Sequence, residues 1–329
     1  MAIFKNPNFD FLRWRWPAVG LSMLIIVSGA VAVAMQGGLA LGIDFSGGTI
    51  VILQFDAPTT EDAVRGAIGG VVDEAVVQQY GDASGNEIMV RLPQSGPEEG
   101  TSLEADATAV VSALQQSAVG SFTVVGQELV GPIIGQELQR RGVSAFAFAM
   151  LGILVYVGFR FRFSFGFGAI IAVAHDILVT LAMLTFFGYD LSLNVVAAML
   201  TITGYSVNDS IVVFDRVREN LRQRRRDAFD VLVNTSINQT LSRTIITSGT
   251  TAFAVLALYV AGGEVLRGFA FTMLVGVISG TYSTIFIAAA AAIVISERRA
   301  TRRAESIERS VAVSKSKRRA KKTRARARA

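Results

Sequence analysis

Six long apolar runs divide the chain, at about 17–35, 143–159, 165–187, 191–214, 244–260 and 269–296. A membrane-spanning helix needs roughly 20 mainly apolar residues, and each run approaches or exceeds that length. Between the first and second runs the pattern changes. TIVILQF at 49–55 is rich in β-formers and reads as a strand. Residues 60–69 read as a helix, with Thr60 as its cap and Glu61 and Asp62 in the first turn. Residues 75–80 and 87–92 read as two strands around the turn cluster GDASGN. A helix over 103–116, a strand over 121–128 and the start of a helix over 136–141 complete the segment. The order βαββαβ predicts a split-βαβ, ferredoxin-like domain.

The expected fold is therefore a polytopic α-helical membrane protein, with six transmembrane helices and one extracytoplasmic α+β domain. Its parts are an N-terminal segment at 1–16, a first transmembrane helix at 17–35, the α+β domain at 36–141, a five-helix bundle at 142–296 and a basic tail at 297–329. The first run is too long for a signal-peptide core and lacks a small-x-small cleavage site, so it reads as a retained anchor.

Charge placement sets the orientation. Lys5, Arg13 and Arg15 precede the first run, Arg160 and Arg162 separate the second and third, and six arginines between 216 and 226 separate the fourth and fifth. The connections at 188–190 and 261–267 hold one basic residue, Arg267. Positive charge gathers on the cytoplasmic side, which places both termini there and the 36–141 domain, with its 14 acidic residues, on the other side.

Composition agrees and narrows the chemistry. The chain is 51% hydrophobic and 17% charged, against roughly 25% charged in soluble domains. It has no cysteine and one histidine, His175, so disulfides, thiolate metal sites and histidine-rich metal sites are excluded. No phosphate-loop spacing is present and no catalytic triad can be assembled, so neither an enzyme nor a cofactor is expected. The net charge of +5 conceals an asymmetry: residues 297–329 carry 14 basic and 3 acidic groups, and the rest of the chain 17 and 23. The tail from 315 onward has too little apolar surface to bury and reads as disordered. It is expected to lie on anionic lipid, with ribosomal RNA as the other phosphate-bearing partner.

The fourth run contains GYSVNDSIVVFDR, from Gly204 to Arg216. Asp215 and Arg216 read as the water-facing end of that helix. Asp209 lies well inside it. A charge at the centre of a spanning helix costs about 2.5–3.5 kcal/mol on insertion scales. Tyr205 sits one turn earlier on the same face, and Ser206 and Asn208 are near. The fifth run opens near Arg243, and Thr247, Thr250 and Thr251 follow at helical spacing. This polar stripe is expected to face inward, with Arg243 as the partner of Asp209. Pairing favours the charged carboxylate and burial the neutral one, which suits a site that binds and releases a proton. A static Asp–Arg lock between two helices is the competing reading. Asp176, after His175, can extend a proton route or serve packing alone.

In the sixth run Thr272, Ser279 and Ser283 accompany Gly276 and Gly280, whose GxxxG spacing permits close helix approach. After the first run comes GIDFSGGT at 42–49, with Asp44 the first charge beyond the membrane and Gly47 and Gly48 free to take unusual backbone angles. It reads as a tight turn into the strand, or as a hinge coupling domain motion to the bundle.

GIDFSGGT, GYSVNDSIVVFDRVREN and LSRTIITSGTT occur in that order, and the chain up to about Ile295 resembles the SecF family of protein-export membrane subunits. The resemblance implies half of a resistance-nodulation-division fold and a separate SecD partner. It also implies work beside the SecY-SecE-SecG channel, where the proton motive force helps draw a preprotein across the bacterial cytoplasmic membrane. It maps the family's proton-linked aspartate onto Asp209, its fifth-helix arginine and threonine onto Arg243 and Thr247, and the glycine-motif aspartate onto Asp44. A proton-coupled small-molecule exporter and a purely structural subunit are the rival functions. An exporter usually has two large extracytoplasmic domains in a chain more than twice as long.

Overall fold

The computed structural model describes residues 4, 7–72, 75–81, 85–92, 101–160, 163–224, 226–299 and 301–302. The tail beyond 302 and part of the turn at 82–84 lie outside the described residues.

Among the described residues six helices are long and apolar enough to cross a membrane. They begin with α1 (Arg15–Met35), preceded by a short turn at Leu12–Trp14. Twenty-one residues at 1.5 Å per residue span about 31 Å, the thickness of a bilayer core. A buried four-residue helical turn, α2 (Ile43–Ser46), leads into the α+β domain. That domain runs β1 (Gly48–Phe55), α3 (Glu61–Ile68), β2 (Val76–Tyr80), β3 (Glu87–Leu92), α4 (Thr101–Gln116) and β4 (Phe122–Val130). The other spans are α5 (Pro132–Arg160), α6 (Phe163–Phe187), α7 (Leu193–Gln223), α8 (Phe229–Ala261) and α9 (Glu264–Ser283). The last continues through a π-helical stretch, Thr284–Ala288, so that the apolar span covers Val265–Arg299.

The sheet is antiparallel throughout, in the order β2-β3-β1-β4. Val51, Leu53 and Phe55 alternate along β1 and enter one core with Val64 and Ile68 of α3 and Val110 and Leu114 of α4. The period of two puts every second β1 side chain beneath the two helices. Thr60 caps α3 as its sequence predicts, its hydroxyl accepting from the Ala63 amide at 3.3 Å.

The domain is joined to the bundle by a continuous helix and by contacts at the α6–α7 connection. Helix α5 runs without a break from the end of the sheet into the membrane segment. Arg91 of β3 pairs with Asp190 at 2.8 Å and donates to the Leu41 carbonyl, bridging the sheet to the α6–α7 connection. Leu41 and Leu191 form a parallel bridge, with the Gly42 amide on the Leu191 carbonyl at 2.9 Å.

Within the bundle α7 and α9 pack closely. A methyl group at Gly276 would overlap Ile202, and one at Gly280 would meet the Ser206 Cβ at 3.1 Å. GxxxG spacing permits such an approach. Two helix lengths depart from the sequence expectation. Helix α8 begins at Phe229, some fifteen residues before the apolar run, and α7 continues to Gln223. Leu232, Val233, Ile237 and Leu241 are buried along the added part of α8, but polar residues separate them, so hydropathy alone misses the helix.

Candidate functional site

Polar side chains buried among α6, α7, α8 and α9 form a belt across the bundle. Its best-connected member is Asp176, 2% exposed. The Oδ1 atom accepts from Ser279 Oγ at 2.7 Å and meets His175 Nδ1 at 3.0 Å. The Oδ2 atom accepts from Ser206 at 2.6 Å and Ser283 at 2.8 Å. Four partners on two oxygens fill the acceptor sites of a carboxylate. They come from three helices, so Asp176 ties α6, α7 and α9 together. The His175 ring stacks on Tyr282 with centroids 6.0 Å apart, and its Nε2 is buried without a partner.

One turn further along α7, Ser210 bonds Thr284 at 3.0 Å. Thr284 opens the π-helical stretch; such one-turn widenings occur often at functional sites.

Asp209 lies beside this belt and is held differently. Thr244 of α8 donates to its Oδ1 at 2.8 Å, while among the described residues its buried Oδ2 has no hydrogen-bond partner within 3.5 Å. Asp209 is 8% exposed. An orphaned buried carboxylate oxygen is costly, and a proton, a water or a cation arriving there relieves it.

The expected Arg243 pair is absent: among the described residues no ion pair within 4.0 Å joins Arg243 to Asp209. Arg243 itself is exposed. The threonine stripe departs from expectation in the same way. Thr247 and Thr250 are exposed, with hydroxyls turned back onto the carbonyls of Arg243 and Ile246, and Thr251 is half-buried. On α7, Thr201 and Asn208 are exposed too. The rotation of α8 decides this: Thr244 faces inward, Arg243 lies about 100° round the helix from it, and Thr247 and Thr250 continue the Arg243 stripe at i+4 and i+7 on the exposed side. The result is an outer polar face on α7 and α8, with Asp209 between that face and the buried belt.

Asp44 reaches the same helix from its other end. Its Oδ2 accepts from the Leu193 amide at 2.8 Å, at the first turn of α7, where Ser192 also caps the helix. A carboxylate there satisfies an otherwise unpaired amide and complements the helix dipole. Gly47 and Gly48 have φ of 72° and 125°. Gly135 at the start of α5 packs against this turn, since a methyl there would lie 3.0 Å from the Gly47 amide nitrogen. The glycine motif therefore joins the domain, α5 and the Asp209 helix in one place.

Sequence reasoning missed the serines that ligate Asp176, and Thr244. Ser279 and Ser283 do carry a signal, being one turn apart on the face that includes Gly276 and Gly280. Among the described residues no cluster of ligating side chains suited to a metal ion is present.

Comparison with known proteins gives concordant results. The family model for the C-terminal part of the SecD/SecF protein export membrane proteins matches residues 110–298, and the SecD/SecF GG motif matches 36–59. The protein translocase subunit SecF of Escherichia coli O157:H7 is 40% identical over 292 residues, which are 88% of this chain and 89% of that protein. SecF of Rhodothermus marinus is 39% identical over 310 residues, covering 92% and 98%. The crystal structure of SecDF from Thermus thermophilus, a translocon-associated membrane protein, superposes with a TM-score of 0.78 at 36% identity. That match covers 89% of this chain and 39% of the longer SecDF chain. A second SecDF structure, in a super-membrane-facing form, gives 0.65 at 38% identity. The chain belongs to the SecF family of SecD/SecF protein export membrane proteins.

Proposed function

We propose that the chain is the SecF half of a SecD–SecF pair that uses the proton motive force to assist preprotein movement through the SecY-SecE-SecG channel. Asp209 binds and releases the proton. The observation that carries this reading is its half-satisfied, buried carboxylate, set between the buried belt and an outer polar face. In lipid that face would leave Arg243 and the threonines facing hydrocarbon, which is unfavourable. A partner membrane domain covers it, and the SecDF relatives point to SecD. Arg243 then lies in a protein interface, from which it can swing towards or away from Asp209.

The sheet order β2-β3-β1-β4 and the βαββαβ element order support a ferredoxin-like domain. Its acidic composition and the arginine-rich loops support an extracytoplasmic position, with both termini in the cytoplasm. Protonation of Asp209 shifts α7 against α8, and Asp44 at the start of α7 passes that movement to the domain, which grips and releases the emerging polypeptide. The chain works as a transporter subunit without enzymatic chemistry or cofactor.

Asp209→Asn tests the proposal in inverted membrane vesicles. The variant should insert at the normal level and lose the proton-dependent part of preprotein translocation. Full export at the normal protein level would overturn it.

A further inference from the structure

A cavity of about 680 Å³ lies at the end of the bundle away from the α+β domain, between the α5–α6 and α7–α8 connections. Its lining is of two kinds. Phe159, Phe165 and Phe229 give it an apolar side, and Arg218, Arg222 and Arg224 give it a basic one. The apolar side is built in: Phe165 is 4% exposed and packs on Phe214 and Phe229, with ring centroids 5.1 and 6.1 Å away. Phe159 projects from the chain, 91% exposed, at the last turn of a membrane span.

The acidic groups nearby are already engaged. Asp215 pairs with Arg160 at 2.6 Å, and Asp227 lies 4.0 Å from Arg224. Arg218 and Arg222 are one turn apart on α7 and so face the same way. Among the described residues neither has an ion-pair partner within 4.0 Å. An anion therefore meets free guanidinium groups that can take phosphate oxygens bidentately.

We propose that this cavity binds the headgroup phosphate of an anionic phospholipid. The phosphate lies on Arg218 and Arg222, and the first methylenes of the acyl chains lie along Phe159 and Phe165. A free phosphate would leave the aromatic wall unused. An RNA backbone would need a longer basic track than one helical turn. Basic pockets between spanning helices at a membrane surface suit such headgroups. The lipid would bridge the α5–α6 and α7–α8 connections, beside the helices that carry Asp209 and Thr244.

The full chain, purified in detergent, is titrated with phosphatidylglycerol, phosphatidylcholine, water-soluble glycerophosphate, inorganic phosphate and a single-stranded RNA, and binding is read by native mass spectrometry. One saturable phosphatidylglycerol site is expected. Each of Arg218→Gln and Arg222→Gln should weaken it about fivefold, and removal of residues 303–329 should leave it in place. Phe159→Ser should weaken the long-chain lipid and not the water-soluble glycerophosphate. Four outcomes would overturn the proposal: equal binding of phosphatidylcholine, binding unchanged by the arginine variants, loss of the site with the tail, or displacement of the lipid by RNA or inorganic phosphate at equal concentration.

Discussion

Asp176→Leu isolates what the buried belt contributes to the bundle. Leucine has the same branching and is apolar, so the change removes an acceptor and opens no cavity. Four side chains on α6, α7 and α9 lose their partner: His175, Ser206, Ser279 and Ser283. Side-chain hydrogen bonds inside membrane proteins average about 0.6 kcal/mol each, which gives about 2.4 kcal/mol for four. The serines can partly recover by turning to their own helix carbonyls, as Ser283 already does to Gly280 at 3.2 Å. His175 cannot, because its Nε2 already lacks a partner, and a wholly unpaired buried imidazole costs about 1–3 kcal/mol. The expected loss is about 3 kcal/mol. Reversible unfolding in mixed detergent micelles measures it, with Ser283→Ala and the double variant completing a cycle. The two changes should couple by at least about 0.5 kcal/mol. An Asp176→Leu protein as stable as the parent, or strict additivity with Ser283→Ala, would refute the tie between helices.

Other changes test other joints. Thr244→Val removes the 2.8 Å donor to Asp209 Oδ1. It should lower proton-dependent export several-fold with little effect on protein level, and an unchanged rate in the vesicle assay would contradict the Thr244 contact. Asp44→Ala frees the Leu193 amide at the start of α7 and should cost about 0.5–2 kcal/mol as a lost cap. It should also reduce export more than Thr60→Ala, a cap of the same kind within the α+β domain, and equal loss would mean that Asp44 only stabilises. Gly276→Val drives a side chain into Ile202 and should separate α7 from α9, seen as a drop of several degrees in the detergent melting temperature. No change would show that the two helices do not pack so closely.

The parts of the fold that recur with a period were legible in the sequence. The six apolar runs became six spans, and the strands and helices of the α+β domain lie within a few residues of their expected places. Helix α8 was half missed because its outer turns bury residues at helical spacing among asparagines, serines and threonines, which a run of hydropathy cannot register. The site was legible in kind and not in geometry. Buried charges at Asp176 and Asp209 stand out against an apolar background wherever they fall. Which of Arg243 and Thr244 turns inward depends on the rotation of α8, about 100° per residue, and a single chain does not encode that rotation legibly. The proposed partner accounts for the outward stripe: a polar face is unfavourable against lipid and serviceable against protein. Ser279 and Ser283 were given no partner because their acceptor, Asp176, lies about 100 positions away in sequence.

The central claim is that Asp209 itself takes up the proton. Infrared difference spectroscopy of the protein, reconstituted with its partner and stepped in pH, reads this directly through the C=O stretch of a protonated carboxylic acid. A band that appears on acidification, persists in Asp176→Asn and vanishes in Asp209→Asn is the predicted result. The same band surviving intact in Asp209→Asn would contradict the account.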